Sequence, residues 1–225
     1  MKGKEFLLRT PKGEVPKACL FDFDLTLADG SKWIIECYKR VLKEQGFPPA
    51  NDEDIRRTIG LTIEDSFGRL TGITDYAKLH ALRLEYKKVC RPEMAAHTFF
   101  FPDAVSFLKR AKKAGIRLAI ISTKETGAIR ETLSLWKLDD LFCKVIGLDE
   151  VSQPKPSPEG ILHALESLEI GCGEAVYFGD SIVDGQAAQN AKVGYVAVAK
   201  GVHKAEELLR YEPLAVISDY SQIEV

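Results

Sequence analysis

Hydrophobic positions along this chain alternate between two spacings. Short continuous apolar runs at Ala18–Phe21, Ile116–Ile121, Ala175–Phe178 and Tyr195–Ala199 read as buried strands, with Lys144–Gly147 as a shorter one and Val216-Ile217 as a last one. Between them the apolar positions recur at helical spacing. Pro102 opens a helix through Val105, Leu108 and Ala111 that Gly115 ends, and Thr126 begins one that runs to about Trp136. Ser157 caps a helix with Pro158 at its first position, another runs from about Val183 to Lys192, and the last begins near His203. Ahead of these, Glu5–Arg9 followed by the turn signal Pro11–Glu14 predicts an edge strand or hairpin leading into the first central strand.

One segment breaks the alternation. From Ser31 to about Glu93 the pattern is helical throughout. Ser31 caps a helix with Ile34, Ile35, Tyr38, Val41 and Leu42 on one face; Asn51, Thr62 and Thr74 each open a further one, and Pro92 ends the last. Strands alternating with helices imply an α/β fold, a parallel sheet covered on both faces. The helical segment is an insertion. The division expected is a core of 1–29 and 101–225 with a cap of 30–100, hinged at Asp29-Gly30 and Phe100-Phe101.

Composition narrows the class. The 225 residues are 45% hydrophobic and 28% charged, enough for one core and a smaller module. A net charge of -2 gives no electrostatic support for nucleic-acid binding. No apolar run reaches membrane-spanning length, and Met1–Lys17 lacks the apolar core and small-residue site of a signal peptide, so the expected location is the cytoplasm. Five scattered cysteines, Cys19, Cys37, Cys90, Cys143 and Cys172, fit reduced thiols better than disulfides or a zinc site.

The chemistry gathers where strands end. In such sheets ligands bind beyond the carboxyl ends of the strands. The first central strand delivers Asp22 and Asp24 there, and strand alternation puts both on one face. At about 4 Å and an effective dielectric near 20, the two charges repel by roughly 4 kcal/mol, so a cation, a lysine or a proton must offset them. Ser122 follows the next strand, Lys155 lies in the loop Gln153–Pro158, and Gly179-Asp180-Ser181 with Asp184 follows a later strand. Taken singly, each has an ordinary explanation as a cap, a turn or a solvated charge. Together they make a phosphoryl-transfer set. A carboxylate is a competent nucleophile towards phosphorus, and a metal ion is needed to bring a phosphate to acidic residues. Asp22 and Asp180, with the main-chain carbonyl of Asp24, would hold Mg2+. Ser122 and Lys155 would hold phosphoryl oxygens, and Asp24 would act as general acid and base. Lys124 is a second candidate for the phosphate-binding lysine; Lys155 is preferred, with Lys124 as a rim residue.

The ordered motifs Asp22-Phe23-Asp24-Leu25-Thr26, Ser122, Lys155-Pro156-Ser157-Pro158 and Gly179–Asp184 resemble the haloacid dehalogenase superfamily, over about Lys17 to Gly201. The cap position and the stretches Phe101–Val105 and Gln153–Glu159 are most similar to its phosphoglycolate phosphatase group. The resemblance implies a Rossmann-like core, Mg2+ dependence, a phosphate-ester substrate, and Thr26 as a further phosphate-binding residue with Asp184 behind the metal ligands. Leu25 departs from the glycine usual in the first motif, and Lys192 from a common glycine after the last. Gly60-Leu61 is the cap loop expected to face the substrate; helix termination at Gly60 is the other explanation. The expected activity is hydrolysis of a small phosphorylated metabolite such as phosphoglycolate by a monomer or homodimer, through an aspartyl-phosphate. A phosphomutase of the beta-phosphoglucomutase type and an inorganic pyrophosphatase would carry the same core motifs.

Overall fold

The computed structural model describes residues 6–225. The chain enters through a two-residue strand β1 (Phe6–Leu7) and reaches β2 (Ala18–Phe21). The turn after β2 leads to β3 (Ala28–Asp29) and then to four helices: α1 (Ser31–Glu44), α2 (Asp52–Arg56), α3 (Ile63–Thr71) and α4 (Tyr76–Cys90). Strand β4 (Phe99–Phe100) pairs antiparallel with β3, so the chain leaves and rejoins the sheet region through a short two-stranded ribbon. That ribbon contains Asp29 and Phe100, one residue of each expected hinge segment. Alternation follows: α5 (Pro102–Lys113), β5 (Arg117–Ile121), α6 (Thr126–Trp136), β6 (Lys144–Ile146), α7 (Glu159–Ser167), β7 (Ala175–Gly179), α8 (Ile182–Ala191), β8 (Gly194–Val198), α9 (Ala205–Leu208), β9 (Ala215–Ile217) and β10 (Ile223–Glu224).

Six strands form one parallel sheet in the order β6-β5-β2-β7-β8-β9. The apolar run of β2 puts it at the centre, where both faces are dry. Cys19 and Phe21 pack into one layer with Phe107, Leu108 and Ile129 of α5 and α6. Ala18 and Leu20 pack into the opposite layer with Ile161, Leu165, Ala187 and Ala188 of α7 and α8. Side-chain alternation on a strand buried on both faces gives this two-sided packing directly.

The inserted helices bury a third cluster of their own, built on Ile34, Tyr38, Val41, Leu42, Phe67, Leu82 and Tyr86. Leu25, from the turn after β2, is fully buried in it. Its φ of 61° is in the left-handed region, which costs a non-glycine residue about 1–2 kcal/mol. The departure from glycine at this position is therefore offset by apolar burial. Leu25→Gly is expected to relieve the strain and lose the burial, about 2–5 kcal/mol for a core leucine. The net result is a protein less stable by about 1–3 kcal/mol in urea unfolding.

Several local expectations differ from what forms. Phe6–Arg9 gives no hairpin: β1 pairs in parallel with β10, because the C-terminus returns to that edge (Glu5 lies outside the described residues). Ser31 is the first helical residue of α1, not its cap, and donates its N–H to Asp29 Oδ1 at 2.8 Å. Asp75, not Thr74, caps α4, because its carboxylate accepts from the Lys78 N–H. Pro158 rather than Ser157 is the N-cap of α7.

Candidate active site

Asp22 stands one residue past β2, where its N–H still donates to Phe178 O of β7 at 2.9 Å. The strand has ended by then. Residues 23–28 fold back on themselves, with Leu27 N–H to Phe23 O at 3.0 Å and Leu25 N–H to Ala28 O at 2.7 Å. Asp22 and Asp24 both lie beyond the strand, so strand alternation does not set their directions. The turn sends their side chains to different partners, and each carboxylate has its own lysine. Lys155 Nζ donates to Asp22 Oδ1 at 2.6 Å, while Lys124 Nζ grips Asp24 at 3.0 Å to Oδ1 and 2.8 Å to Oδ2. The Lys155–Asp22 pair is almost sealed, with side chains 4% and 3% exposed; the Lys124–Asp24 pair is 10% and 13% exposed. Lys124 is thus an inward-facing residue, not one of the rim.

Lys155 also donates to Asp184 Oδ1 at 2.6 Å and meets Tyr177 Oη at 3.1 Å. Tyr177 in turn donates to Asp184 Oδ1 at 3.0 Å. The other oxygen of Asp184 takes the hydroxyl and the N–H of Ser181, closing a capping box at the start of α8. Both oxygens of Asp184 are therefore engaged by the protein, as befits a residue that orients Lys155 and the helix start. Asp180 accepts from Val202 N–H at 2.9 Å and Thr26 Oγ1 at 3.2 Å. Gly201 lets that loop approach: a Cβ there would fall 1.6 Å from Asp180 Oδ2. Thr26 is fully buried, and its hydroxyl donates to Asp180. Ser122 follows β5, is buried, and its Oγ accepts from Lys124 N–H at 3.3 Å.

Oxygens of Asp22, Asp180 and Asp184 lie within 4.8 Å of one another. Three buried carboxylates face a single ammonium, and the imbalance is felt. Burial pushes the Asp22 carboxyl up to about 7, with Lys155 pulling against the rise and Asp184 adding to it. Asp180 is held well above the ordinary carboxylate range by burial, then by Asp184 and Asp22. Burial works against the charge of Lys155, and Asp184 and Asp22 overcome it, so its pKa stands above the usual lysine value. An all-oxygen, electron-rich cradle short of positive charge fits a hard divalent cation. Asp22 and Asp180 have the freer oxygens for it.

The inserted helices sit directly against this edge. Gly60 has φ 99° and lies beyond α2, so it does not terminate that helix; its carbonyl accepts from Thr123 Oγ1 at 3.1 Å. A Cβ on Gly60 would fall 3.6 Å from Ser181 Oγ, so the loop Gly60-Leu61 touches the core beside the acidic cluster. Arg83 and Lys87 of α4 both reach Glu125 at 2.7 Å, and Arg91 reaches Glu131 at 2.7 Å, tying the roof to the core. Between roof and core lies a cavity of about 110 Å³, with Asp24, Lys124, Gly60 and Leu61 among its walls.

A family model described as haloacid dehalogenase-like hydrolase matches residues 19–198, which include Asp22, Asp24, Ser122, Lys124, Lys155, Asp180 and Asp184. The chain belongs to the haloacid dehalogenase-like hydrolases. A haloacid dehalogenase-like hydrolase of Bacteroides fragilis has a solved structure with a TM-score of 0.90 and 42% identity, covering 92% of this chain and 99% of its own. A pyrophosphatase, PpaX, of Listeria innocua is 30% identical over 91% of this chain and 93% of its own length. A phosphoglycolate phosphatase of Psychrobacter arcticus is 29% identical over 91% and 92%. The parallel sheet with catalytic-type carboxylates at its carboxyl edge is that of a haloacid dehalogenase-like enzyme. Among the described residues no helix is long and apolar enough to cross a membrane.

Sequence reasoning missed two participants in this candidate site and the partner of a third. Tyr177 was hidden in an apolar strand, where only its hydroxyl sets it apart. Lys124 was seen, but not as the partner of Asp24, because their separation of 100 residues is closed only by pairing β2 with β5. The Val202 N–H on Asp180 leaves no side-chain signal at all.

Proposed function

We propose that the protein is a Mg2+-dependent phosphatase of a small phosphorylated metabolite in the cytoplasm, acting as a monomer or homodimer through an aspartyl-phosphate on Asp22. The observation that carries the reading is Asp22 at the centre of the strand edge, flanked by Asp180 and bound to Lys155 at 2.6 Å. Asp22 attacks phosphorus, and the bond to the ester oxygen breaks. Asp24 gives that oxygen a proton as the alcohol leaves, then takes one from the water that attacks the acyl phosphate, so that Asp22 and inorganic phosphate are released. Lys155 and the Ser122 hydroxyl hold phosphoryl oxygens while charge spreads over them. Asp184 and Tyr177 keep Lys155 in place, and Thr26 keeps Asp180 in place. Mg2+ on Asp22, Asp180 and the Asp24 carbonyl would supply charge neutralisation when bound. The roof excludes bulk water and favours a small leaving group over a polymer.

The relatives named phosphoglycolate phosphatase and pyrophosphatase support phosphate release and leave two substrate classes open. A phosphate-release panel with Mg2+, covering phosphoglycolate, pyrophosphate, hexose phosphates and nucleotides, separates them. Strong release from one compound is expected, lost in EDTA and restored by excess Mg2+. Mg2+ is also expected to raise the thermal midpoint of metal-free protein, since it compensates three buried carboxylates. Release that is indifferent to EDTA would remove the metal from the mechanism. A stable phospho-adduct on Asp22 without release would point to a phosphomutase.

A further inference from the structure

Lys124 has a donor to spare. An ammonium carries three N–H groups, and Lys124 gives two of them to Asp24. Among the described residues the third meets only the Met94 thioether sulfur at 3.7 Å, a weak acceptor. Lys124 lines the cavity under the roof, next to Asp24. The other cations on that wall hold carboxylates, Arg83 with Glu64 and Glu125, Lys87 with Glu125, and Arg91 with Glu131, while Arg83 Nε and Arg91 Nη1 are buried without a partner among the described residues; Lys124 is the one bound to Asp24. Much of the remaining wall is apolar, with Ile34, Tyr38, Ile59, Tyr86 and Met94. At about 30 Å³ per water, the cavity of about 110 Å³ has space for about four waters.

We propose that Lys124 reads a carboxylate on the leaving group, and that the substrates are phosphate esters of 2-hydroxy acids bearing an apolar substituent. The inference rests on the role given above to Asp24. The ester oxygen then comes within hydrogen-bond reach of the Asp24 carboxylate, which is itself 2.8–3.0 Å from Lys124 Nζ. In a 2-hydroxy acid one carbon separates that oxygen from the carboxylate, so the two groups are about 3 Å apart by ordinary bond lengths. One ammonium therefore holds Asp24 and the substrate carboxylate together. The substituent on the second carbon fills that apolar wall.

The test compares matched esters on the full chain with Mg2+: phosphoglycolate against methyl phosphate, and the O-phosphate of 3-phenyllactate against 2-phenylethyl phosphate. In each pair the carboxylated ester is expected to have kcat/KM about 10- to 100-fold higher, and the phenyl acid to exceed phosphoglycolate. Lys124→Met is expected to bring each ratio within about threefold of one, and Lys124→Arg to restore part of it. A second readout needs no variant: 3-phenyllactate should inhibit the native protein at concentrations at least about tenfold below 2-phenylethanol. Equal rates within both pairs would overturn the proposal and leave the phosphatase reading standing. So would a preference that survives in both Lys124→Met and Lys124→Gln. Absence of phosphate release from these esters and from the wider panel would overturn both.

Discussion

Asp22→Asn is expected to lower phosphate release at least about a thousandfold and to abolish any acid-stable phospho-adduct, read by quenched-flow mass spectrometry. The substitution keeps the shape of the side chain and an oxygen for Lys155, so geometry survives while nucleophilicity does not. Stability should not suffer. Burial already pushes the Asp22 carboxyl up to about 7, which means the fold disfavours its charge in metal-free protein. Removing that charge leaves Lys155 with Asp184 as its ionic partner at 2.6 Å. The thermal midpoint of the metal-free variant is therefore expected to equal or exceed that of the native protein. Turnover within tenfold of native would remove Asp22 as the nucleophile. A variant that loses its fold instead would show that the Lys155–Asp22 pair is a structural necessity.

Lys155→Met is expected to be the most costly single change in stability. The ammonium sits between Asp22 and Asp184, 4% exposed, with Tyr177 as a third partner. Deleting one member of a buried charge network leaves the others unpaired, at about 3–5 kcal/mol. Methionine fills the space of the lysine stem, so packing loss contributes little and the effect isolates the charge. Mg2+ should recover part of the loss, because a divalent cation compensates the same carboxylates. Urea unfolding with and without Mg2+ measures both quantities. A loss below about 1 kcal/mol in metal-free protein would mean that the carboxylates take up protons readily enough to stand without the lysine. Turnover should fall as well, since Lys155 is the only cation among the described residues bound to Asp22.

Much of the architecture was legible because buried strands and amphipathic helices announce themselves by spacing. The run Ala18–Phe21 could only be a strand buried on both faces, and such a strand belongs at the centre of a parallel sheet. The uninterrupted helical pattern after Ser31 marked the inserted segment, and its apolar stripe needed a cluster of its own. The short ribbon of β3 and β4 was not legible, since two-residue strands have no periodicity to detect. Nor was β10, whose pairing with β1 joins opposite ends of the chain.

The site divides along a similar line. Asp22, Ser122, Lys155 and Asp180 were visible because strand ends converge on one edge whatever the loop details. The pairing of the two acids was not. Alternation placed Asp22 and Asp24 together, but the turn over Phe23–Ala28 divides them between Lys155 and Lys124. A hydrogen-bonded turn depends on which backbone groups find partners, and Leu25 at φ 61° is tolerated only because the inserted helices bury it. Local spacing thus determined the parallel sheet, the helical insertion and the set of residue types at the sheet edge, since each follows from burying apolar side chains nearby in sequence. Tertiary structure alone decided which lysine holds which aspartate, that Thr26 supports Asp180, and that the Lys124 ammonium meets the Met94 sulfur beneath the roof. The contacts to the aspartates span 100 residues or more in each case. No local pattern encodes the angle at which two distant segments meet.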